Sequence, residues 1–345
     1  MSRQHETRPA TMRAVRIDAV GPPENLRVVD CPVPTVGDDD VLIRTEIAGI
    51  IYGDVEARKG SYFTPTRVPW IPGREVAGVV ATCGRDVKGY EVGARVMALV
   101  PSGGCYAEYV LTSPGGAPPG RANAGPPADI QRLPDRVAFR EGLVYLVNFR
   151  LAHLVLHAVV NVRRGDAVAV HGAAGGMGAM VTQLAKAAGC EVIALCRGSE
   201  EVAFCRAIGA ARAFDTSSTD YVDAVLDATG GEGVRYSFNG VGGPTVNRDP
   251  LIVSRFGEIV LYGYVAGKAA FDPFALGKTY GLKLFSATDY LKTPRFAEAT
   301  EAMHAWMAEQ PLLSISETWP FEQAPDAHRR IEAGTFLCKL GLTPR

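Results

Sequence analysis

The stretch VAVHGAAGGMGAMVTQLAKAAG, Val168 to Gly189, constrains the fold more than any other part of the chain. Gly172, Gly175, Gly176 and Gly178 fall between an apolar, strand-like run and a run with helical patterning that Gly189 closes. A strand that turns into a helix through glycines is the first half of a βαβ unit, and the alternation continues. EVIALC, ARAFDT, VRYSFNGVGG and GEIVLYGYVAG read as strands; SEEVAFCRAIGA and DYVDAVLDATGG read as the intervening helices. Strands alternating with helices of about ten residues predict a doubly wound parallel sheet covered on both faces. Glycine allows positive φ and close approach of a ligand to the backbone, and the N–H groups of a helix N-terminus face an anion. Following a strand and opening a helix within such units, the loop predicts dinucleotide binding through Gly172, Ala174, Gly175, Gly176, Met177 and Gly178.

The next strand predicts which dinucleotide. A carboxylate at its tip would take the ribose hydroxyls of NAD. Here the tip reads Cys196-Arg197-Gly198-Ser199, with no acid at that point, although Glu200 and Glu201 follow. Arg197 can pair with a 2′-phosphate and Ser199 can donate to it, so NADPH is the expected cofactor.

The rest of the chain has a different texture. With 345 residues it exceeds the size at which a single core stops growing, roughly 250–300 residues, so two domains are expected. From Met12 to about Leu111, short β-rich runs alternate with Pro, Gly and Asp turns, predicting a mostly antiparallel domain. The first eleven residues read as a disordered lead, and Met12 as a possible start. Ser113 to Asp129, rich in Pro, Gly and Ala, reads as an irregular surface loop; a lid over the site is the sharper alternative. Thirty-six basic and 37 acidic residues leave a net charge of −1, which argues against nucleic acid or an anionic membrane recognised by bulk charge. No apolar run in the sequence approaches the ~20 residues of a membrane span, and the N-terminus lacks the apolar segment of a secretory signal. The seven cysteines are scattered without a CxxC pair, which suggests free thiols in a reducing cytoplasm.

A β-rich domain, a dinucleotide domain and a C-terminal return resemble the medium-chain dehydrogenase/reductase superfamily. HGAAGGMG, PGREVAGVV, VGARVMAL, YAEYV and KLGLTP carry the resemblance, which covers the chain after Met12. Within the superfamily the chain is similar to the zinc-free quinone oxidoreductase and enoyl reductase branch. The resemblance implies an α/β fold with a GroES-like catalytic domain over 12–142 and 282–345. A Rossmann cofactor domain would span 143–281.

Zinc-dependent members carry a cysteine where this chain has Ile51 and a histidine where it has Arg74, and neither present residue can ligate zinc. No metal is therefore expected. His153 and His157, at i and i+4 without the Glu of an HExxH motif, read as ordinary helix histidines. The chemistry left is hydride addition to an acceptor with its own electron sink: a small apolar quinone, or a C=C conjugated to a carbonyl. The resemblance makes Tyr62, in Gly60-Ser61-Tyr62, the candidate proton donor or enolate-stabilising hydroxyl, and Tyr52 a substrate-pocket wall. It places Asn148 near the nicotinamide, with Asn239 and Val241 under it and Gly263 and Tyr264 at the carboxamide. Lys339 is at the cofactor phosphates or solvated.

Departures from the branch at Ile51, Phe63, Leu151 and Val202 suggest a specialised acceptor pocket, possible in a tailoring enoyl reductase of secondary metabolism. Relatives pair edge strands into homodimers, and Ile259 to Val265 is either such an edge or an internal strand. The rival reading is a catalytically silent, crystallin-like NADPH-binding protein.

Overall fold

A computed structural model describes residues 9–116, 126–268 and 277–345. Most of the expected loop Ser113–Asp129 and of the N-terminal lead lies outside them. The chain divides into two units: Met1–Leu146 with Pro311–Arg345, and Val147–Gln310.

In the first unit β1 (Thr11–Arg16) and β2 (Arg27–Pro32) form an antiparallel pair. There follow β3 (Val41–Ile50), α1 (Tyr52–Lys59), β4 (Glu75–Cys83), β5 (Arg95–Leu99), β6 (Tyr109–Thr112), β7 (Asp129–Arg132) and α2 (Phe139–Leu146). The second unit opens with α3 (Asn148–Leu154), which runs on into a π-helical turn, Val155–Val159. It continues with β8 (Ala167–His171), α4 (Gly176–Ala187), β9 (Glu191–Cys196), α5 (Gly198–Ala207), β10 (Arg212–Asp215) and α6 (Tyr221–Ala228). It ends with β11 (Val234–Asn239), α7 (Asp249–Ile252), β12 (Val253–Leu261), β13 (Gly281–Leu284) and α8 (Pro294–Glu309). The chain returns to the first unit with β14 (Glu317–Pro320), α9 (Ala324–Ala333) and β15 (Leu340–Thr343).

The first unit is built on a sheet of order β14-β15-β3-β4-β5-β7, with β6 also paired to β3. Only β14 and β15 run parallel; the other pairs are antiparallel. β3 sits at its centre because it is apolar on both faces: Val41, Leu42, Ile43, Ala48 and Ile50 are all buried.

In the second unit every pair is parallel and the order is β10-β9-β8-β11-β12-β13. Strand order reverses between β8 and β11, and in such sheets the crevice beyond the strand ends at the reversal is where ligands bind.

Two expectations are corrected, and one open alternative is decided. The cofactor unit ends at Gln310, not at residue 281, because β13 pairs with β12 as the sixth parallel strand and α8 stacks on α3, with the Phe149 and Trp306 rings 5.7 Å apart. Ile259–Leu261 is internal, flanked by β11 and β13, so among the described residues the edge is β13. The helical stretch Phe139–Val159, at 21 residues and mean hydropathy 1.4, is long and apolar enough to cross a membrane, contrary to the expectation of no such run. However, 61% of its window is buried inside the molecule, as in the core helix of a folded domain.

Candidate active site

In the cofactor unit, β8 delivers Gly172 with φ +61°, and α4 starts at Gly176 with Gly175 as its N-cap. The Gly175 N–H donates to the Gly172 carbonyl at 3.0 Å, closing the turn. A Cβ on Gly178 would stand 2.2 Å from that same carbonyl oxygen, so only glycine lets the helix seat so close to the strand end. No side chain caps α4, which leaves the first-turn N–H groups of Gly176, Met177 and Gly178 for an anion. Ala174 is buried in the turn, whereas Gly172 is exposed at its rim, 3.2 Å at its would-be Cβ from Val241 Cγ2. These residues fit the pyrophosphate of a dinucleotide.

Beneath the loop lies a closed polar network. Asp249 accepts from Ser237 Oγ (2.5 Å) and Asn239 Nδ2 (2.6 Å), and pairs with His171 Nε2 at 2.9 Å; all four side chains are buried. Asn239 Oδ1 takes the N–H groups of Val241 (2.9 Å) and Gly242 (3.0 Å), and its Nδ2 also reaches Thr245 Oγ1 at 2.9 Å. The Asn239 side chain is thus spent on shaping its own loop. Val241 follows at the end of this turn, its Cγ2 3.2 Å from the would-be Cβ of Gly172. Gly263 backs onto the Gly240 carbonyl and Tyr264 follows it, half-buried. Asn148, also half-buried, opens α3. His153 and His157 lie along the same helical stretch with rings 4.7 Å apart, and burial holds the His153 ring down at about 4.

At the tip of β9, Arg197 and Ser199 are exposed, as a 2′-phosphate contact requires. The tip is nevertheless not free of acids. Asp215 ends β10 opposite Cys196, and its carboxylate accepts from the Gly198 N–H and from Ser217, which hold it below the usual carboxylate range. Glu201 Oε2 accepts the Arg197 N–H at 2.7 Å, while burial pushes its carboxyl up.

The first unit carries a second centre. Asp54, fully buried on α1, accepts from Arg74 Nη1 at 3.0 Å, from the Ile51 N–H at 3.3 Å and from Tyr106 Oη at 3.5 Å. Burial raises the Asp54 carboxyl to about 6 against the pull of Arg74. Tyr106 Oη also lies 3.2 Å from His328 Nε2, and burial lowers that imidazole to about 3. The Arg74 guanidinium stacks on the Tyr62 ring, 4.6 Å from its centroid, and lies 5.4 Å from that of Trp70. Tyr62 Cε2, Ile51 Cδ1 and Arg74 Nη1 lie 3.4, 3.6 and 3.8 Å from one point, the Cβ position of Gly53. The two residues at the zinc-ligand positions therefore meet beside the candidate tyrosine, and a sec-butyl side chain and a guanidinium do not fit a zinc ion. Among the described residues no group of three or more His, Cys, Asp or Glu is placed to hold a metal. Tyr52 is the first residue of α1. Lys339 is corrected: it is 3% exposed and ion-paired with the fully buried Glu75, so its charge is spent within the first unit.

Sequence reading missed Asp249, Ser237 and His171 as one network, and Asp54 as the partner of Arg74. The buried face of α1 carries Asp54 with Val55, Ala57 and Arg58, so local patterning did not single the acid out.

Comparison with known proteins agrees with this geometry. Residues 37–118 match the family described as alcohol dehydrogenase GroES-like domain, and residues 176–305 the family described as zinc-binding dehydrogenase. The quinone oxidoreductase of Pongo abelii is 27% identical over 330 residues, covering 94% of this chain and 95% of its own. The solved mycobacterial Rv1454c, complexed with NADPH, is 28% identical with a TM-score of 0.83, covering 96% of this chain and all of its own. The Pseudomonas syringae quinone oxidoreductase has a TM-score of 0.84 with the same coverage; its 24% identity speaks to the fold alone. The chain belongs to the medium-chain dehydrogenase/reductase superfamily, in its quinone oxidoreductase branch.

Proposed function

We propose that the chain is an NADPH-dependent, metal-free oxidoreductase that reduces a quinone or the C=C of an α,β-unsaturated carbonyl compound. The observation that carries the reading is the uncapped first turn of α4 at the strand-order reversal, beside Gly172 and Val241. NADPH, when bound, supplies a hydride. The residues of the cofactor unit hold its anionic groups: the α4 N-terminus takes the pyrophosphate, while Arg197 and Ser199 take the 2′-phosphate. In the first unit the Tyr62 hydroxyl, which has no hydrogen-bond partner among the described residues, delivers the proton, and Tyr52 walls the acceptor.

The same proposal includes a homodimer joined at β13, whose outer side is unpaired among the described residues and where Leu284 is 82% exposed. It also includes a cytoplasmic location, which suits seven free thiols, and no nucleic-acid or membrane partner, which suits the balanced charge.

The test is NADPH oxidation against a panel of quinones and a panel of conjugated enones and enoyl thioesters, with product masses. A saturated C=C makes the chain an enoyl reductase, and hydroquinone alone makes it a quinone reductase. NADPH binding without oxidation of either panel overturns the reading.

A further inference from the structure

We propose that the Arg74 guanidinium takes the negative charge that develops on the acceptor's carbonyl oxygen, in the place where zinc-dependent members of the superfamily hold their metal. The inference rests on the reading of the chain as a reductase of carbonyl-conjugated acceptors.

Reduction of such an acceptor places a hydride on carbon, so that a new C–H bond forms. The C=C π pair shifts towards the carbonyl, and the carbonyl π pair moves onto oxygen as an enolate. With a quinone this enolate is the keto tautomer of the hydroquinone anion, and loss of the proton on the attacked carbon to water, with protonation on oxygen, completes the hydroquinone. The nicotinamide is oxidised by two electrons, and a proton from Tyr62 or water completes the product. The oxygen that gains the charge needs a donor already in place.

Arg74 is such a donor. Its Nη1 is fixed by Asp54 at 3.0 Å and its Nε by the Pro101 carbonyl at 3.3 Å, while the rings of Tyr62 and Trp70 hold its plane. Nη2 has no hydrogen-bond partner among the described residues, and the side chain is 12% exposed, so a buried cation presents a free N–H edge. That edge belongs to the group that meets Ile51 and Tyr62 over Gly53. Behind it, Asp54 is anchored by the Ile51 N–H and Tyr106, so the guanidinium does not need to move when a ligand arrives. The Glu75–Lys339 pair next along the strand is a separate ion pair, so the donor edge at this point is the Nη2 that Arg74 does not use on Asp54. A planar, permanently charged fork suits an oxyanion better than a flexible ammonium does.

The test uses the full chain with two variants. The double variant Arg74→Leu with Asp54→Asn removes cation and carboxylate together, so that no buried charge is stranded; Arg74→Lys keeps the charge and loses the fork. The first readout needs no cofactor: 4-nitrophenol is titrated by absorbance when bound to each protein. Wild type is expected to hold it as the phenolate at a pH at least one unit below that of the double variant. The second is kcat on an enone and on a naphthoquinone. It is expected to fall about a hundredfold in the double variant and about tenfold in Arg74→Lys, with KM changed less. Millimolar guanidinium should restore part of the loss in the double variant, as it would not for a merely structural defect. Identical nitrophenol titrations in wild type and variant, or no shift in wild type, overturn the inference. So does unchanged kcat in Arg74→Lys, which stands if the double variant fails to fold. A wild type that reduces neither acceptor but still shifts nitrophenol sinks the proposed reaction and leaves the anion site standing.

Discussion

The two units each bury a polar centre, and the centres differ in what they leave over. In the cofactor unit Asp249, His171, Ser237, Asn239 and Thr245 bond to one another, and their sum is a shaped loop. What that loop offers a ligand is backbone: the uncapped first-turn N–H groups of α4. In the first unit Asp54, Tyr106 and His328 hold one another, but the chain of contacts ends in Arg74 and Tyr62, whose Nη2 and hydroxyl have no hydrogen-bond partner among the described residues. We propose that the closed network positions and the open one takes part in the reaction. A pyrophosphate can be recognised by any run of N–H groups in the right turn, whereas charge appearing on one oxygen needs a particular side chain.

The contrast can be broken, beginning with the largest effect. Gly178→Ala puts a methyl 2.2 Å from the Gly172 carbonyl oxygen. It should cost about 4 kcal/mol or more of stability and abolish NADPH binding, as read by urea unfolding and fluorescence titration. Full-strength binding would show that the backbone cradle is not the ligand site. Asp249→Ala strands three buried donors and should cost about 3 kcal/mol in the same unfolding assay. If the network only positions, kcat at saturating NADPH stays within a few-fold of wild type. A collapse of kcat with unaltered stability would make this centre reactive and erase the distinction.

Acid should act through both units, and most through the first. The folded His328 imidazole is held at about 3, below its ordinary 6.5, so the unfolded chain takes the proton first and stability is lost as pH falls between those values. His153, at about 4, acts in the same direction. Asp54, raised from 3.8 to about 6, acts in the opposite sense: the folded state takes its proton first, which returns part of the loss between pH 6 and 3.8. His328→Gln should therefore flatten the fall in stability between pH 7 and pH 4 by about 3 kcal/mol, measured by denaturant titration at each pH. An unchanged slope would mean that His328 is not buried neutral. The smallest effect belongs to the β9 tip. Arg197→Ala should raise the KM for NADPH about tenfold and leave that for NADH nearly unchanged. Equal losses for both would remove the 2′-phosphate contact and leave Glu201 and Asp215 to define the tip.

Legibility followed distance along the chain. The glycine loop, its strand and its helix lie within twenty-two consecutive residues, Val168 to Gly189, and their geometry is carried by local backbone preference, so the strand, turn and helix could be read directly. Runs as short as GLKL at β13 carry too little pattern to declare a sixth strand, and the unit boundary was misplaced with it. The absence of an acid after Cys196 was read correctly along the chain, yet Asp215 reaches the same tip from the neighbouring strand.

Composition, periodicity and the glycine spacing sufficed for the class of fold and pointed to the glycine loop, because each is a property of neighbours in sequence; Ile51 and Arg74 stood out only through the resemblance to a family. The meeting of Arg74 with Asp54 across 20 residues, of His171 with Asp249 across 78 and of Tyr106 with His328 across 222 required the folded chain. Side chains so far apart carry no mutual signal until the sheets bring them together, and burial, which sets their charge states, exists only once they are there.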